Sequence, residues 1–152
     1  MVSQAKEEFI SLIKSVNERK CNLHSMKNLL YREIIENYIE AYNNFDIDGM
    51  LSYMHDEIRF KNIVQGKVNI STSGIAELKN LAENTKNQLK EREQKITDIK
   101  FMGNRAEVLI DYKGILAADI PNGPKAGDKI ELKGKSVFTF QDNKIIELKD
   151  IS

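Results

Sequence analysis

The sequence predicts an α+β fold in which helices come first and antiparallel strands follow. Apolar residues recur at helical spacing in the first part of the chain, and from Lys95 onward they alternate with polar residues at the period of a strand. No internal repeat or low-complexity linker interrupts this order. The length of 152 residues suits one domain on the usual prior of ~100–200 residues each. These observations favour helices packed against a single sheet.

The composition excludes several classes of protein. Lys and Arg total 23 and Asp and Glu total 23, so the net charge gives no argument for binding nucleic acid or an anionic membrane. No apolar run is long enough to cross a bilayer. One cysteine, Cys21, and two histidines predict no disulfide, no metal site and no cofactor. Glu7 and Glu8 stand where a signal peptide would be apolar, which predicts a cytoplasmic protein.

The first segment, residues 4–20, is predicted to form an amphipathic helix. Its apolar residues fall at helical spacing, and the rest are charged or polar. Two interpretations stay open: the helix packs on its own domain, or it contacts a second subunit. The apolar residues are Phe9, Leu12, Ile13 and Val16.

Two further helices are predicted. Ser25 is a plausible N-cap for a helix that runs to about Asn44, because apolar residues recur four apart through Tyr38 and Tyr42. Asp46 can cap a short third helix that contains Met50 and Met54.

After Glu57 the spacing of the residues changes from that of a helix to a period of two, which is typical of a strand. Ile58, Phe60 and Asn62 would face one side of a strand, and a second strand is predicted after a turn at Gly66. A fourth helix is predicted to begin at Ser73, with the run KNQLKEREQK as its solvated end.

The remainder of the chain is predicted to form strands. Two long strands, 105–117 and 129–140, flank the turn-rich stretch PNGPKAGD, and their short connection requires antiparallel pairing. A hairpin turn at Gln141–Lys144 leads to a last strand, 145–151.

Three stretches resemble the NTF2-like (SnoaL-like) superfamily. They are NYIEAYNNFDIDGMLSYMHDEIRF, GIAELKNLAE and FTFQDNKIIELKD, in which Asn143 stands where glycine is common and tolerates the same positive φ. The resemblance covers residues 26–152 and leaves 1–25 as an N-terminal helical extension. It implies an NTF2-like cone, in which a curved, mostly antiparallel sheet wraps the helices around an apolar pocket. It does not settle function, because relatives include isomerases, cyclases and proteins without catalysis.

The resemblance to the isomerase branch implies three functional positions. A helix tyrosine falls at Tyr38, the carboxylate base falls at Asn62, and the protonated acid falls at Ser136. An amide cannot take the proton, and a serine donates more weakly than a carboxylic acid. The resemblance therefore argues against isomerase chemistry of this type.

The cyclase branch implies an acid/base aspartate on a C-terminal strand, and Asp150 is the candidate. If Leu148 faces the pocket, Asp150 shares that face, and partial desolvation would raise its pKa. The alternative is that Asp150, near the C-terminus, lies exposed at the rim of the cone. Catalytic roles are accordingly predicted for Asp150 and Tyr38 only.

One mainly apolar cavity is predicted as the ligand site. Two function classes follow: a module that binds a small hydrophobic molecule without isomerase chemistry, or an acid/base enzyme of the polyketide cyclase or dehydratase type that uses Asp150. A homodimer is also predicted through the outer face of the sheet, because that face mixes apolar residues such as Leu109 with charged ones. The predicted lining residues are Tyr38, Tyr42, Met54, Phe60, Asn62, Tyr112, Ser136, Phe138 and Leu148.

Overall fold

The computed structural model describes the backbone of residues 2–152 and the side chains of residues 4–16 and 23–152. The chain divides into two compact units, Met1–Glu33 and Ile34–Ser152. The boundary predicted at residue 25 stays a prediction. Within the described residues, no helix is both long and apolar enough to cross a membrane.

The first helix, α1, is continuous over Val2–Asn43. The prediction of a new helix at Ser25 is therefore wrong. The residues around Ser25 include no glycine or proline, so nothing in the local sequence ends the first helix, and a serine inside a helix costs little. Among the described residues of the first unit, the large apolar side chains of this helix from Phe9 to Leu30 are exposed, for example Leu23 at 65%, whereas Tyr31 is buried.

The second helix, α2, spans Ile47–Ser52 and is capped as predicted, but it ends before Met54, which was predicted to belong to it. The backbone N–H of Gly49 donates to the carboxylate of Asp46 at 3.0 Å. The third helix, α3, spans Ile75–Lys86 and follows Gly74, whose φ is +87°. A side chain with a Cβ would be strained in this left-handed region, so glycine suits this junction.

Six strands in the described residues form one sheet with the order β2-β1-β6-β5-β4-β3. β1 and β6 run parallel, and all other neighbours run antiparallel, including the long pair β4 and β5. The α+β fold class is therefore confirmed. The strands are β1 (Met54–Val64), β2 (Lys67–Ser73), β3 (Leu89–Met102), β4 (Arg105–Leu116), β5 (Lys129–Gln141) and β6 (Lys144–Ile151).

The stretch KNQLKEREQK was predicted to end a helix, but most of it forms the start of β3. Arg92 and Gln94 are buried, whereas Glu91, Glu93 and Lys95 are exposed. The strand period is therefore present, but its inward positions carry polar residues. A pattern based on apolar residues could not detect it.

Register shifts in four of the five strand pairs allow the sheet to curve. The core of the second unit lies on its inner face, where Phe138, Phe140 and Ile58 are fully buried. The C-terminal part of α1 packs there, since the Tyr38 ring meets the Phe138 ring edge-on at 5.8 Å. Helix and sheet thus bring Tyr38 towards the inward residues of β1, β5 and β6.

Candidate functional site

Three polar side chains lie in one row across the inner face of the sheet. Asn62 on β1 is in register with Asp150 on β6, and Asp150 is in register with Ser136 on β5. Strand residues in register on one face have neighbouring side chains. The row therefore brings together residues that are 14 to 88 positions apart in the sequence.

Asp150 holds the only carboxylate of this row. The Ser136 hydroxyl donates a hydrogen bond to Asp150 Oδ1 at 2.7 Å. Burial raises the pKa of Asp150 to about 6, and the hydrogen bond from Ser136 acts in the opposite direction. The side chain is thus partly buried and not fully exposed at the rim, and its protonated and ionised forms are both populated near pH 6.

Tyr38 supplies a hydroxyl close to this row. Burial raises the pKa of Tyr38 far above its ordinary value, and the negative charge of Asp150 raises it further. The phenol therefore stays protonated. Among the described residues its hydroxyl has no hydrogen-bond partner, so it can donate to a ligand.

A cavity of about 210 Å³ lies between α1, α2, α3 and the sheet; we call it the inner cavity. Most of its walls are apolar, and its polar groups come from a few side chains. This composition is typical of sites for small organic molecules. The lining residues are Tyr38, Tyr42, Met50, Leu51, Met54, Phe60, Asn62, Ile70, Leu78, Leu81, Ala82, Thr85, Arg92, Leu148 and Asp150.

A second cavity of about 420 Å³ adjoins the first. The two share Tyr42, Asn62 and Asp150, so the carboxylate can be reached from both. The Tyr42 hydroxyl donates to the Tyr112 hydroxyl at 3.2 Å. The residues common to both cavities thus include one member of this polar pair, Tyr42, and the acid/base candidate, Asp150.

Eight of the nine predicted lining residues line one or both of these two adjoining cavities. Six of them line the inner cavity: Tyr38, Tyr42, Met54, Phe60, Asn62 and Leu148. Tyr112 and Ser136 line the second cavity. Phe138 lines neither and packs behind Tyr38. Tyr42 and Asn62, two of the nine, line both cavities, as does Asp150.

Arg92 lines the inner cavity, and sequence reasoning missed it. The residue is 6% exposed, and its guanidinium lies over the rings of Tyr42 and Phe45 at 3.7 and 4.4 Å. Arg92 Nε donates to the Tyr42 carbonyl at 2.8 Å. The signal that could have found it was the alternation of Arg92 and Gln94 with three charged neighbours.

In the described part of the chain, no group of three or more His, Cys, Asp or Glu side chains is placed to hold a metal ion. The side chain of Cys21 lies outside the described residues.

Comparison with known proteins identifies the family. The sequence profile of the SnoaL-like domain matches residues 35–148. The chain belongs to the SnoaL-like domain family. This family lies in the NTF2-like superfamily, so the predicted resemblance is confirmed. No curated protein matches this SnoaL-like chain in sequence.

Solved structures share the fold of this SnoaL-like protein. A proposed polyketide cyclase from Xanthomonas campestris has a TM-score of 0.68 and 19% identity, covering 83% of this chain and 92% of that one. A proposed SnoaL-like polyketide cyclase from Jannaschia has a TM-score of 0.67 and 15% identity, covering 80% of this chain and 84% of that one. An NTF2-like protein of unknown function from Burkholderia pseudomallei has a TM-score of 0.66 and 16% identity, covering 80% of this chain and 88% of that one. At these identities the likeness establishes the fold.

Proposed function

We propose that this SnoaL-like protein binds a small, mainly apolar carbonyl compound in the inner cavity and that Asp150 exchanges a proton with it. The observation that carries the proposal is the position of Asp150. Its carboxylate lines the cavity, accepts a hydrogen bond from Ser136 and has a pKa of about 6. A base of this strength can remove a proton next to a carbonyl and return it later.

The neighbouring groups suit this chemistry. When a proton leaves the carbon next to a carbonyl, negative charge develops on the carbonyl oxygen. Tyr38, with its protonated phenol, would donate a hydrogen bond to that oxygen, and the Asn62 amide could donate a second. Two of the structures similar in fold are of proposed polyketide cyclases, which makes carbonyl compounds the first class to test.

The same cavity could bind a ligand without catalysis. Asn62 and Ser136 favour this second function, because neither can serve as the base or the acid of an isomerase of the resembling type. The two functions differ in one property: only the first needs the ionised form of Asp150.

Exchange of α-protons for deuterium separates these functions. The small ketone 2-tetralone is incubated in D₂O with the wild type, with Asp150→Asn or with Asp142→Asn, and exchange is followed by NMR. Asp142 is a matched control because its side chain is 80% exposed in a hairpin turn. We expect Asp150→Asn to lose about 10²-fold or more of the protein-dependent rate, and Asp142→Asn to retain it. Equal rates in both variants would contradict the proposal.

We further propose that the protein is a homodimer through the outer face of the sheet. Leu109 on β4 is 46% exposed on this face, and an ion pair between Glu107 and Lys135 at 3.9 Å lies beside it. Val137, an apolar residue of the same face, is buried by its neighbours and adds little contact area. The exposed apolar residues of α1 between Phe9 and Leu30 are the alternative surface.

A further inference from the structure

We propose that the ligand of the inner cavity carries a carboxylate group and that Arg92 binds it. The inference rests on the proposed function only in taking the inner cavity as the ligand site. It adds a substrate class, because a carboxylate next to a mainly apolar body distinguishes an organic acid from a neutral ketone.

Among the described residues, no acidic side chain serves as a counter-ion for Arg92. A buried charge is costly unless an opposite charge or hydrogen bonds compensate it. Arg92 is buried, yet no Asp or Glu among the described residues lies within ion-pair distance of its guanidinium. Asp150 lines the same cavity without pairing with it. A ligand anion would supply the missing charge.

The terminal nitrogens of Arg92 have N–H groups that are available to a ligand. A guanidinium has five N–H groups, and in Arg92 only Nε–H donates to an oxygen, the Tyr42 carbonyl. Arg92 Nη2 reaches the Met50 sulfur at 3.8 Å, which is a weak acceptor. Neither terminal nitrogen has an oxygen acceptor within the described part of the chain. These donors form the planar fork that matches the two oxygens of a carboxylate.

Neighbouring side chains and the backbone already hold the Arg92 guanidinium in place. The rings of Tyr42 and Phe45 lie against the guanidinium, and the Nε–H bond fixes its rotation. A side chain ordered before binding loses little entropy when the ligand arrives. The same rings stabilise the cation while the cavity is empty, which explains how the fold tolerates it.

Arg92 and Asp150 would contact two different ends of the ligand. A carboxylate bound at Arg92, on β3, would anchor one end of an oxo acid. Asp150, on β6, would then face another part of the molecule, where proton transfer takes place.

Matched pairs of probes test the inference. Binding of 2-naphthoate and of methyl 2-naphthoate is measured by thermal shift and calorimetry for the wild type, Arg92→Gln, Arg92→Lys and Arg105→Gln. Each variant is compared with its own ligand-free state, so a change in its stability does not enter the result. Arg105 is the control because it is exposed at the start of β4.

We expect the wild type and Arg105→Gln to prefer the acid over the ester. Arg92→Gln should weaken acid binding by about tenfold to a hundredfold and ester binding much less, so that the preference for the acid is lost, and Arg92→Lys should retain part of the preference. Equal or tighter binding of the ester by the wild type would overturn the inference and leave the proposed function standing. Failure of both probes to bind would also overturn it, and the 2-tetralone assay then decides the proposed function separately.

Discussion

Ser136 and Asp150 face each other across β5 and β6, and the serine hydroxyl donates to the carboxylate at 2.7 Å. The hydrogen bond stabilises the ionised form of Asp150, whereas burial disfavours it. Because burial has the larger effect, the pKa of Asp150 is about 6 and not that of an exposed aspartate. The pair therefore sets the pH at which the inner cavity contains a base.

Removing the Ser136 hydroxyl should raise the pKa of Asp150 further. In Ser136→Ala the opposing hydrogen bond is lost, so the pKa of Asp150 should rise above about 6. NMR titration of ¹³C-labelled aspartate side chains measures the change. Ser71→Ala, an exposed serine on β2, serves as the control and should leave the titration unaltered. A lower pKa in Ser136→Ala would contradict the assignment of the hydrogen bond.

The stability of the protein should depend on the protonation of Asp150. Its pKa is higher in the folded chain, about 6, than the ordinary value of 3.8, so its contribution is complete below pH ~4 and is lost as the pH rises through about 6. Asp150→Asn does not titrate. The free energy of unfolding of this variant, relative to the wild type, should increase by about 2 kcal/mol between pH 4 and pH 7.5. Urea unfolding at both pH values measures this, and parallel curves would exclude a raised pKa.

The Tyr38 hydroxyl should matter for the ligand and little for the fold. Tyr38→Phe retains the edge-on contact with Phe138, so the free energy of unfolding should change by less than about 1 kcal/mol. The rate of 2-tetralone exchange should fall by about three- to tenfold, the value of one neutral hydrogen bond. Tyr53→Phe, outside the inner cavity, is the control. An unchanged rate in Tyr38→Phe would remove the tyrosine from the site.

Assembly has its own test. Light scattering at micromolar concentration should give twice the chain mass of 17.4 kDa. Leu109→Lys places a charge on the outer face of the sheet and should dissociate the dimer, because an apolar contact would then bury an unpaired cation. Leu23→Lys, on the exposed side of α1, should leave the dimer intact. The reverse pattern would assign the interface to the helix.

The sequence predicted the elements whose apolar residues keep a clear period. Strands β4 and β5 and the hairpin at Asn143 were predicted because apolar alternation and a positive-φ residue mark them. The start of β3 was not, because its inward residues Arg92 and Gln94 are polar and resemble a solvated surface. Their burial depends on α1, which packs against them from the other end of the sequence.

The candidate site was predictable only in part for the same reason. Asp150 could be placed on the inner face from its spacing to Leu148, but its contact with Ser136 depends on the register between β5 and β6. The lining of the two cavities combines residues of the helices with residues of several strands. Such contacts are between distant residues, and no local pattern contains them.

In the proposed function, Asp150 acts as a base within the inner cavity. The most direct measurement is the pH dependence of 2-tetralone α-proton exchange, corrected for the reaction without protein. We expect the rate to rise to half its maximum near pH 6 and to reach a plateau above it, and we expect Asp150→Asn to lose this transition. A protein-dependent rate whose pH profile is the same in the wild type and in Asp150→Asn would contradict it.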